Sequence, residues 1–175
     1  MNIRRMKAAD LLVVSQIDKL SFSQPWPPAA FEIELYNNDA RCWVAELEDI
    51  QGISRQNRVV AAMVIWRILD EAHIATIAVL PDFRQQGIGK LLLKTGMREA
   101  YAEDARVYHL EVRAGNLVAQ KMYLDFGYAI VGRRPRYYKD NGEDALLMTL
   151  DLSLPNLSKN KLDFLTEAFD ERKFP

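Results

Sequence analysis

Residues 77–90 read Ile-Ala-Val-Leu-Pro-Asp-Phe-Arg-Gln-Gln-Gly-Ile-Gly-Lys. An apolar run ends in a Pro-Asp turn. Arg-x-x-Gly-x-Gly follows, and then an amphipathic helix carrying Leu91, Leu92, Leu93 and Met97. A strand, a glycine-rich loop and a helix in that order leave several backbone N–H groups free at the helix N-terminus. Gly87 and Gly89 remove the side chains that would block close approach, so the segment suits a pyrophosphate. A phosphorylated cofactor is expected. A dinucleotide fold would want Gly-x-Gly-x-x-Gly and a parallel sheet from the start. A P-loop would want Gly-Lys-Ser/Thr, but Gly89-Lys90 is followed by Leu91.

The flanking pattern sets the architecture. Residues 2–6 read as a strand. Asp10 can cap a helix whose Leu11, Val14, Ile17 and Leu20 keep helical spacing. Pro25-Trp26-Pro27-Pro28 breaks it, and a second short helix runs through Phe31 and Leu35. Residues 41–47 and 58–68 predict two strands joined by a long polar loop over 48–57. Residues 72–79 form the next strand, followed by a helix from the glycines to about Asp104. Val107–Val112 is a strand. Asn116 caps a helix that stops at Gly127. Tyr128–Val131 and Ala145–Leu150 are strands about the Asp140-Asn141-Gly142 turn. The expected order is β-α-α-β-β-β-α-β-α-β-β, an α/β (α+β) fold with a mixed, mostly antiparallel sheet and helices on both faces. One domain is expected over 1–151, with a tail over 152–175 that forms an amphipathic helix at 158–170 through Leu162, Leu165 and Phe169.

Composition narrows the function classes. The chain has 175 residues and a net charge of −1, so neither nucleic acid nor an anionic membrane is an expected partner. A single cysteine, Cys42, rules out an internal disulfide and fits a reducing compartment. The N-terminal Met-Asn-Ile-Arg-Arg-Met-Lys lacks a signal-peptide core. A cytoplasmic location is expected. The two histidines and one cysteine are scattered, so no metal is expected.

With Arg84-Gln85-Gln86-Gly87-Ile88-Gly89 after the fourth strand, the chain resembles the GCN5-related N-acetyltransferase (GNAT) superfamily over about residues 3–151. Leu110-Glu111-Val112-Arg113-Ala114-Gly115-Asn116, Met122-Tyr123 and Phe126-Gly127-Tyr128 are similar to its bacterial ribosomal-protein-alanine (RimI-type) group. So are Pro25-Trp26, Ile77-Ala78-Val79 and Tyr137-Tyr138 ahead of Gly142-Glu143-Asp144-Ala145. Pro27-Pro28 depart from it, since Ser or Thr usually follows the Pro-Trp pair. The resemblance implies acetyl-CoA as co-substrate and direct transfer to an N-terminal α-amine, that of the alanine of a small-subunit ribosomal protein. It implies Glu111 as catalytic base and Tyr123 as proton donor. It places acetyl-CoA against Ile77, Ala78, Val79, Arg84, Gln85, Gln86, Gly87, Ile88, Gly89, Lys90, Asn116 and Tyr123. Alternatives are the same fold acting on a lysine or a small amine, and a non-catalytic acetyl-CoA-binding module.

The chemistry is consistent with these residue types. An α-amine has a pKa near ~8 against ~10.4 for lysine, so it needs only modest help from a base. Alternation puts Val107, His109 and Glu111 on one face of their strand. Glu111 can serve as base or simply pair with a nearby arginine such as Arg113. His109 is a rival base, or a half-buried hydrogen-bonded residue. Tyr123 lies nearly two turns after Asn116, on the same side of its helix, and is either a donor or a core aromatic. Asn116 can cap its helix and touch the cofactor at once. Backbone N–H groups around Ile77–Val79 suit an oxyanion. Trp26, Tyr137 and Tyr138 are candidate walls for the acceptor. Arg133, Arg134 and Arg136 form a local basic cluster, read as a solvated face.

Overall fold

The computed structural model describes residues 1–51, 54–154 and Leu165. The elements run β1 (Asn2–Arg5), α1 (Leu11–Ser21), α2 (Pro28–Tyr36), β2 (Ala40–Gln51), β3 (Ser54–Ile68), β4 (Glu71–Val79), α3 (Ile88–Ala102), β5 (Val107–Arg113), α4 (Leu117–Asp125), β6 (Ala129–Arg134) and β7 (Ala145–Asp151). This is the expected order. The strands form one mixed sheet, β1-β2-β3-β4-β5-β7-β6, in which only the β4–β5 pair is parallel.

Alternation along β3 sends neighbouring side chains to opposite faces. Met63 and Ile65 meet α3 so closely that a Cβ on Gly96 would lie 2.3 Å from Met63 Cε and 2.7 Å from Ile65 Cδ1. Trp66 points the other way, donating from Nε1 to Glu34 of α2 at 2.9 Å. Leu92, Leu93 and Met97 of α3 are fully buried against the sheet, as are Val14, Ile17 and Phe31 from the α1–α2 side. Apolar burial on both faces is the main favourable contribution to folding.

Two local expectations need correction. The polar stretch 48–57 is not a long loop, because β2 and β3 continue pairing out to Gln51↔Ser54. A ladder needs only backbone N–H and C=O groups, so polar side chains do not stop it. Asp10 does not cap α1 through its side chain. Its Oδ2 accepts the Lys7 N–H at 2.8 Å, and its carboxylate is gripped by Arg4 at 2.7 and 3.0 Å. The expected helix over 158–170 lies outside the described residues, apart from Leu165, which is buried in the core.

The feature that matters most for function is where β4 and β5 stop pairing. They touch only from Glu71↔Val107 to His73↔His109. Beyond that rung β4 follows β3 to Val79, while β5 follows β7 to Arg113. The register shift between Val64↔Thr76 and Ile65↔Ile74 leaves Ala75 as an extra residue. Such a bulge bends its strand and opens the sheet there. A wedge results between two strands that point the same way.

Candidate active site

Both strands bordering the wedge end in a turn that starts a helix, β4 into α3 and β5 into α4. Two helix N-termini therefore gather at the carboxyl ends of neighbouring parallel strands, where ligands of α/β sheets bind. At the first, Gln85 (φ 61°) and Gly87 (φ 79°) adopt left-handed backbone, which turns successive N–H groups inward as an anion-binding nest. Leu91 N–H donates to the Gly87 carbonyl as the first helical bond. Ile88, Gly89 and Lys90 thus begin the helix with no intrahelical acceptor. A Cβ on Gly87 would meet nothing within 4 Å, and one on Gly89 only Val79 Cγ2 at 3.5 Å. The chain itself leaves this space open, and the N–H-lined cradle fits a pyrophosphate. Arg84 braces the loop by donating from Nε to the Val79 carbonyl at 3.0 Å, and Gln86 Nε2 reaches the Asp82 carbonyl at 3.2 Å.

The edge of β4 supplies further donors. Leu80 N–H is taken by the Val60 carbonyl at 2.9 Å. Counting back by the strand period, Ala78 also faces β3, so Ile77 and Val79 turn their N–H groups toward the wedge. At the second helix, Asn116 Oδ1 accepts the Ala119 N–H at 3.1 Å, the expected cap.

Glu111 sits two residues beyond the last β4–β5 rung, in the mouth of the wedge. Its side chain is 15% exposed, with Oε2 at 2.7 Å from His73 Nε2 and Oε1 at 3.1 Å from Arg134 Nη1. The His73 hydrogen bond, aided by the charge of Arg134, outweighs burial and holds the carboxyl below its usual range. The expected alternative partner, Arg113, is engaged elsewhere. It binds Asp140 at 2.9 Å, Glu143 at 3.2 Å and Ser23 Oγ at 2.9 Å, while its guanidinium lies 3.8 Å over the Tyr138 ring. This knot ties the α1–α2 connection to the β6–β7 loop. His109 is half-buried and hydrogen-bonded, with Nδ1 at 3.0 Å from Thr149 Oγ1 and Nε2 at 3.6 Å from Glu71.

Tyr123 approaches from the other face of the sheet. It is buried beside Tyr128 at 5.7 Å between ring centres, and the Tyr128 hydroxyl reaches Met97 Sδ of α3 at 3.8 Å. Burial pushes the Tyr123 hydroxyl well above its usual pKa, so it stays protonated as a donor must. Glu111 and Tyr123 thus lie on opposite faces of the sheet. Tyr138 stands between them. Burial raises its pKa to about 12, with smaller upward pushes from Tyr137 and Glu111, and its phenol in turn raises that of Tyr123.

The remaining expected walls divide. Tyr137 is 42% exposed and packs edge-on to Tyr138 at 5.2 Å. Trp26 is half-buried in an aromatic stack, 5.1 Å from Phe31 and 6.2 Å from Trp66, which in turn lies 5.8 Å from His73. The basic cluster is exposed, as expected, and two of its arginines also have acidic partners, Arg134 bonding Glu111 and Arg133 bonding Asp144. Sequence reasoning missed His73 and Arg134. The only available signal for His73 was a histidine in an otherwise small and aliphatic strand.

Asp18 anchors the Trp26 loop. It is buried, its Oδ2 accepts the Trp26 N–H at 2.7 Å, and its Oδ1 has no hydrogen-bond partner among the described residues. Burial raises its carboxyl above the usual range, opposed by the Trp26 bond. A carboxyl raised on folding contributes stability that is fully present below its unfolded pKa and fades as pH rises through the folded one. Asp18→Asn keeps an oxygen for Trp26 and carries no charge. In paired urea titrations it should gain stability relative to the parent near pH ~8 and lose that gain near pH ~4. A difference independent of pH would show that Asp18 does not titrate in this way.

Known proteins share the sequence pattern and the fold. The sequence pattern of the Acetyltransferase (GNAT) family matches residues 11–128. The chain belongs to that family and is an N-acetyltransferase. The [ribosomal protein bS18]-alanine N-acetyltransferase of Escherichia coli K12 is 32% identical over 155 residues, covering 87% of this chain and 98% of that protein. The crystal structure of the ribosomal-protein-S18-alanine N-acetyltransferase from Escherichia coli superposes with a TM-score of 0.74 at 28% identity, covering 90% of this chain and 98% of that one. Arabidopsis thaliana NAA60 in complex with acetyl-CoA has the same fold, with a TM-score of 0.79 at 18% identity, covering 87% of this chain and 99% of that one.

Proposed function

We propose that the enzyme transfers an acetyl group from acetyl-CoA to the N-terminal α-amine of a protein, the alanine of a small-subunit ribosomal protein, in the cytoplasm. The observation that carries this is the wedge, with an N–H-lined glycine cradle at one strand end and a carboxylate in its mouth. The resemblance to proteins of that named activity supports the acceptor. Bound acetyl-CoA supplies the thioester whose carbon–sulfur bond breaks as the amide forms. Gln85–Lys90, braced by Arg84, would hold the pyrophosphate, Asn116 would contact the cofactor, and the N–H groups of Ile77 and Val79 would hold the carbonyl oxygen as negative charge develops. Glu111, directly or through a water, takes a proton from the amine, and Tyr123 gives one to the departing sulfur.

An α-amine fits this site better than a polyamine. Asp140 and Glu143 at the mouth share Arg113, whose single positive charge offsets one of their two negative charges and weakens their pull on a polycation. Trp26, Tyr137 and Tyr138 would flank an extended peptide end. The test is CoA release with peptides beginning in alanine, lysine-containing peptides with blocked N-termini, and polyamines. Alanine-first peptides should give the highest kcat/KM, and a preference for lysine or spermidine would overturn the acceptor. In the same assay Tyr123→Phe should lower kcat by roughly tenfold or more without changing acetyl-CoA KM. An unchanged kcat removes Tyr123 as donor.

A further inference from the structure

An ammonium that becomes an amide N–H loses two protons. One goes to the departing sulfur, and the other must reach bulk water in every turnover. We propose that His73 is the exit for this second proton, a residue that acts through Glu111 and does not touch the acceptor. The inference rests on the reading of Glu111 as base.

The geometry is direct. His73 Nε2 lies 2.7 Å from Glu111 Oε2, within proton-transfer reach, and the imidazole is 34% exposed where the carboxylate is only 15% exposed. The two are joined because the last rung of the parallel pair, His73↔His109, sits one alternation short of Glu111 on the same face. The charged surroundings favour onward transfer. Glu111 is flanked by Arg134 at 3.1 Å and is a weak place to keep a proton. An imidazole is ordinarily the stronger base of the two by about two pKa units. Other ionisable groups close by are His109 and Glu71, paired with each other at 3.6 Å, and Glu34, held by Trp66 behind the imidazole. Tyr138 also faces Glu111. Glu71 and Glu34 each have their own partner, so the described polar contact of His73 is with Glu111, beside the Trp66 ring.

The step balances as follows. The amine nitrogen loses H⁺ to Glu111, giving a neutral carboxylic acid. In the resting pair neutral His73 donates Nε2–H to the carboxylate; once Glu111 holds H⁺, exchange through solvent moves His73 to its Nδ1–H tautomer, and the freed Nε2 accepts H⁺ from the acid, leaving a carboxylate beside an imidazolium. The imidazolium then releases its Nδ1 proton to water, which restores the resting pair. No electrons move and no further reactant is needed.

His73→Gln, which retains a hydrogen-bonding side chain but cannot carry a proton, and His73→Ala test this beside Glu111→Gln. The assay uses whichever amine of the acceptor panel the parent enzyme turns over fastest. His73→Gln should lower kcat by roughly tenfold at unchanged acetyl-CoA KM. Parent kcat should fall on acidification, and that limb should move to lower pH in His73→Gln. Added imidazole should restore much of the kcat lost in His73→Ala, which a purely structural role would not allow. A wild-type pH profile in His73→Gln, or no rescue of a folded His73→Ala, overturns the exit role alone if Glu111→Gln is impaired. A wild-type-like Glu111→Gln overturns the base assignment and the exit role with it.

Discussion

Glu111→Gln should lower kcat by about two orders of magnitude or more while leaving acetyl-CoA affinity nearly intact, since general-base catalysis contributes on that scale. Glutamine matches the size of the carboxylate and can still bond to His73 or Arg134, so the change removes proton acceptance and little else. The glycine cradle lies at the end of β4, on separate backbone, which is why binding should survive. CoA release and acetyl-CoA titration calorimetry measure the two quantities separately. Equal kcat in the two proteins would remove Glu111 as base. The variant carries a second signature. The Glu111 carboxyl is lowered in the fold, first by its His73 hydrogen bond. Its stabilising contribution is therefore present above the unfolded value near ~4.3 and is lost as pH falls through the lower folded value. Any stability deficit of Glu111→Gln should shrink in acid.

Gly89→Val should raise acetyl-CoA KM by more than about tenfold, a loss of roughly 1.4 kcal/mol of binding, with little change in melting temperature. A Cβ at 89 meets only Val79 Cγ2 at 3.5 Å, an ordinary contact, so the fold accepts a side chain there. Gly87 differs, because its φ of 79° is strained for other residues whatever the space around it. If position 89 is glycine so that a phosphate can approach the helix N-terminus, a branched side chain blocks the phosphate and disturbs nothing else. Unchanged KM in a folded Gly89→Val would mean that the pyrophosphate lies elsewhere.

The order of elements was legible because each carries a local signal. Helices α1 and α3 keep apolar positions at helical spacing, α4 has its Asn116 cap and Gly127 stop, and β5 and β7 are apolar runs. The extent of the β2–β3 hairpin was not legible, since residues 48–57 lose the apolar alternation while the backbone ladder carries on. Glu111, Tyr123 and the glycine loop stood out through residue type and motif. Their relative placement did not, because Glu111 and Tyr123 come from different elements and sit on opposite faces of a sheet that bulges at Ala75. Arg113, the near neighbour in sequence, looked like the partner of Glu111. Alternation puts Arg113 on the same face, but at the strand end, where Asp140 and Glu143 capture it.

By itself the sequence determined the mixed α/β fold, the strand–glycine loop–helix that makes a phosphate cradle, and the residue types that acid–base chemistry needs. These depend on periodicity, caps and backbone conformation, all set within a few residues. Tertiary structure decided how wide the cradle's surroundings open and who sits beside the carboxylate. His73 and Arg134 come from strands far apart in the chain, and their approach to Glu111 follows from strand register and from bulges in β4 and β6, which no local pattern encodes. The loop of residues 84–90 thus defines what can be held, while the parting of β4 from β5 defines where, and beside which groups, a proton can leave.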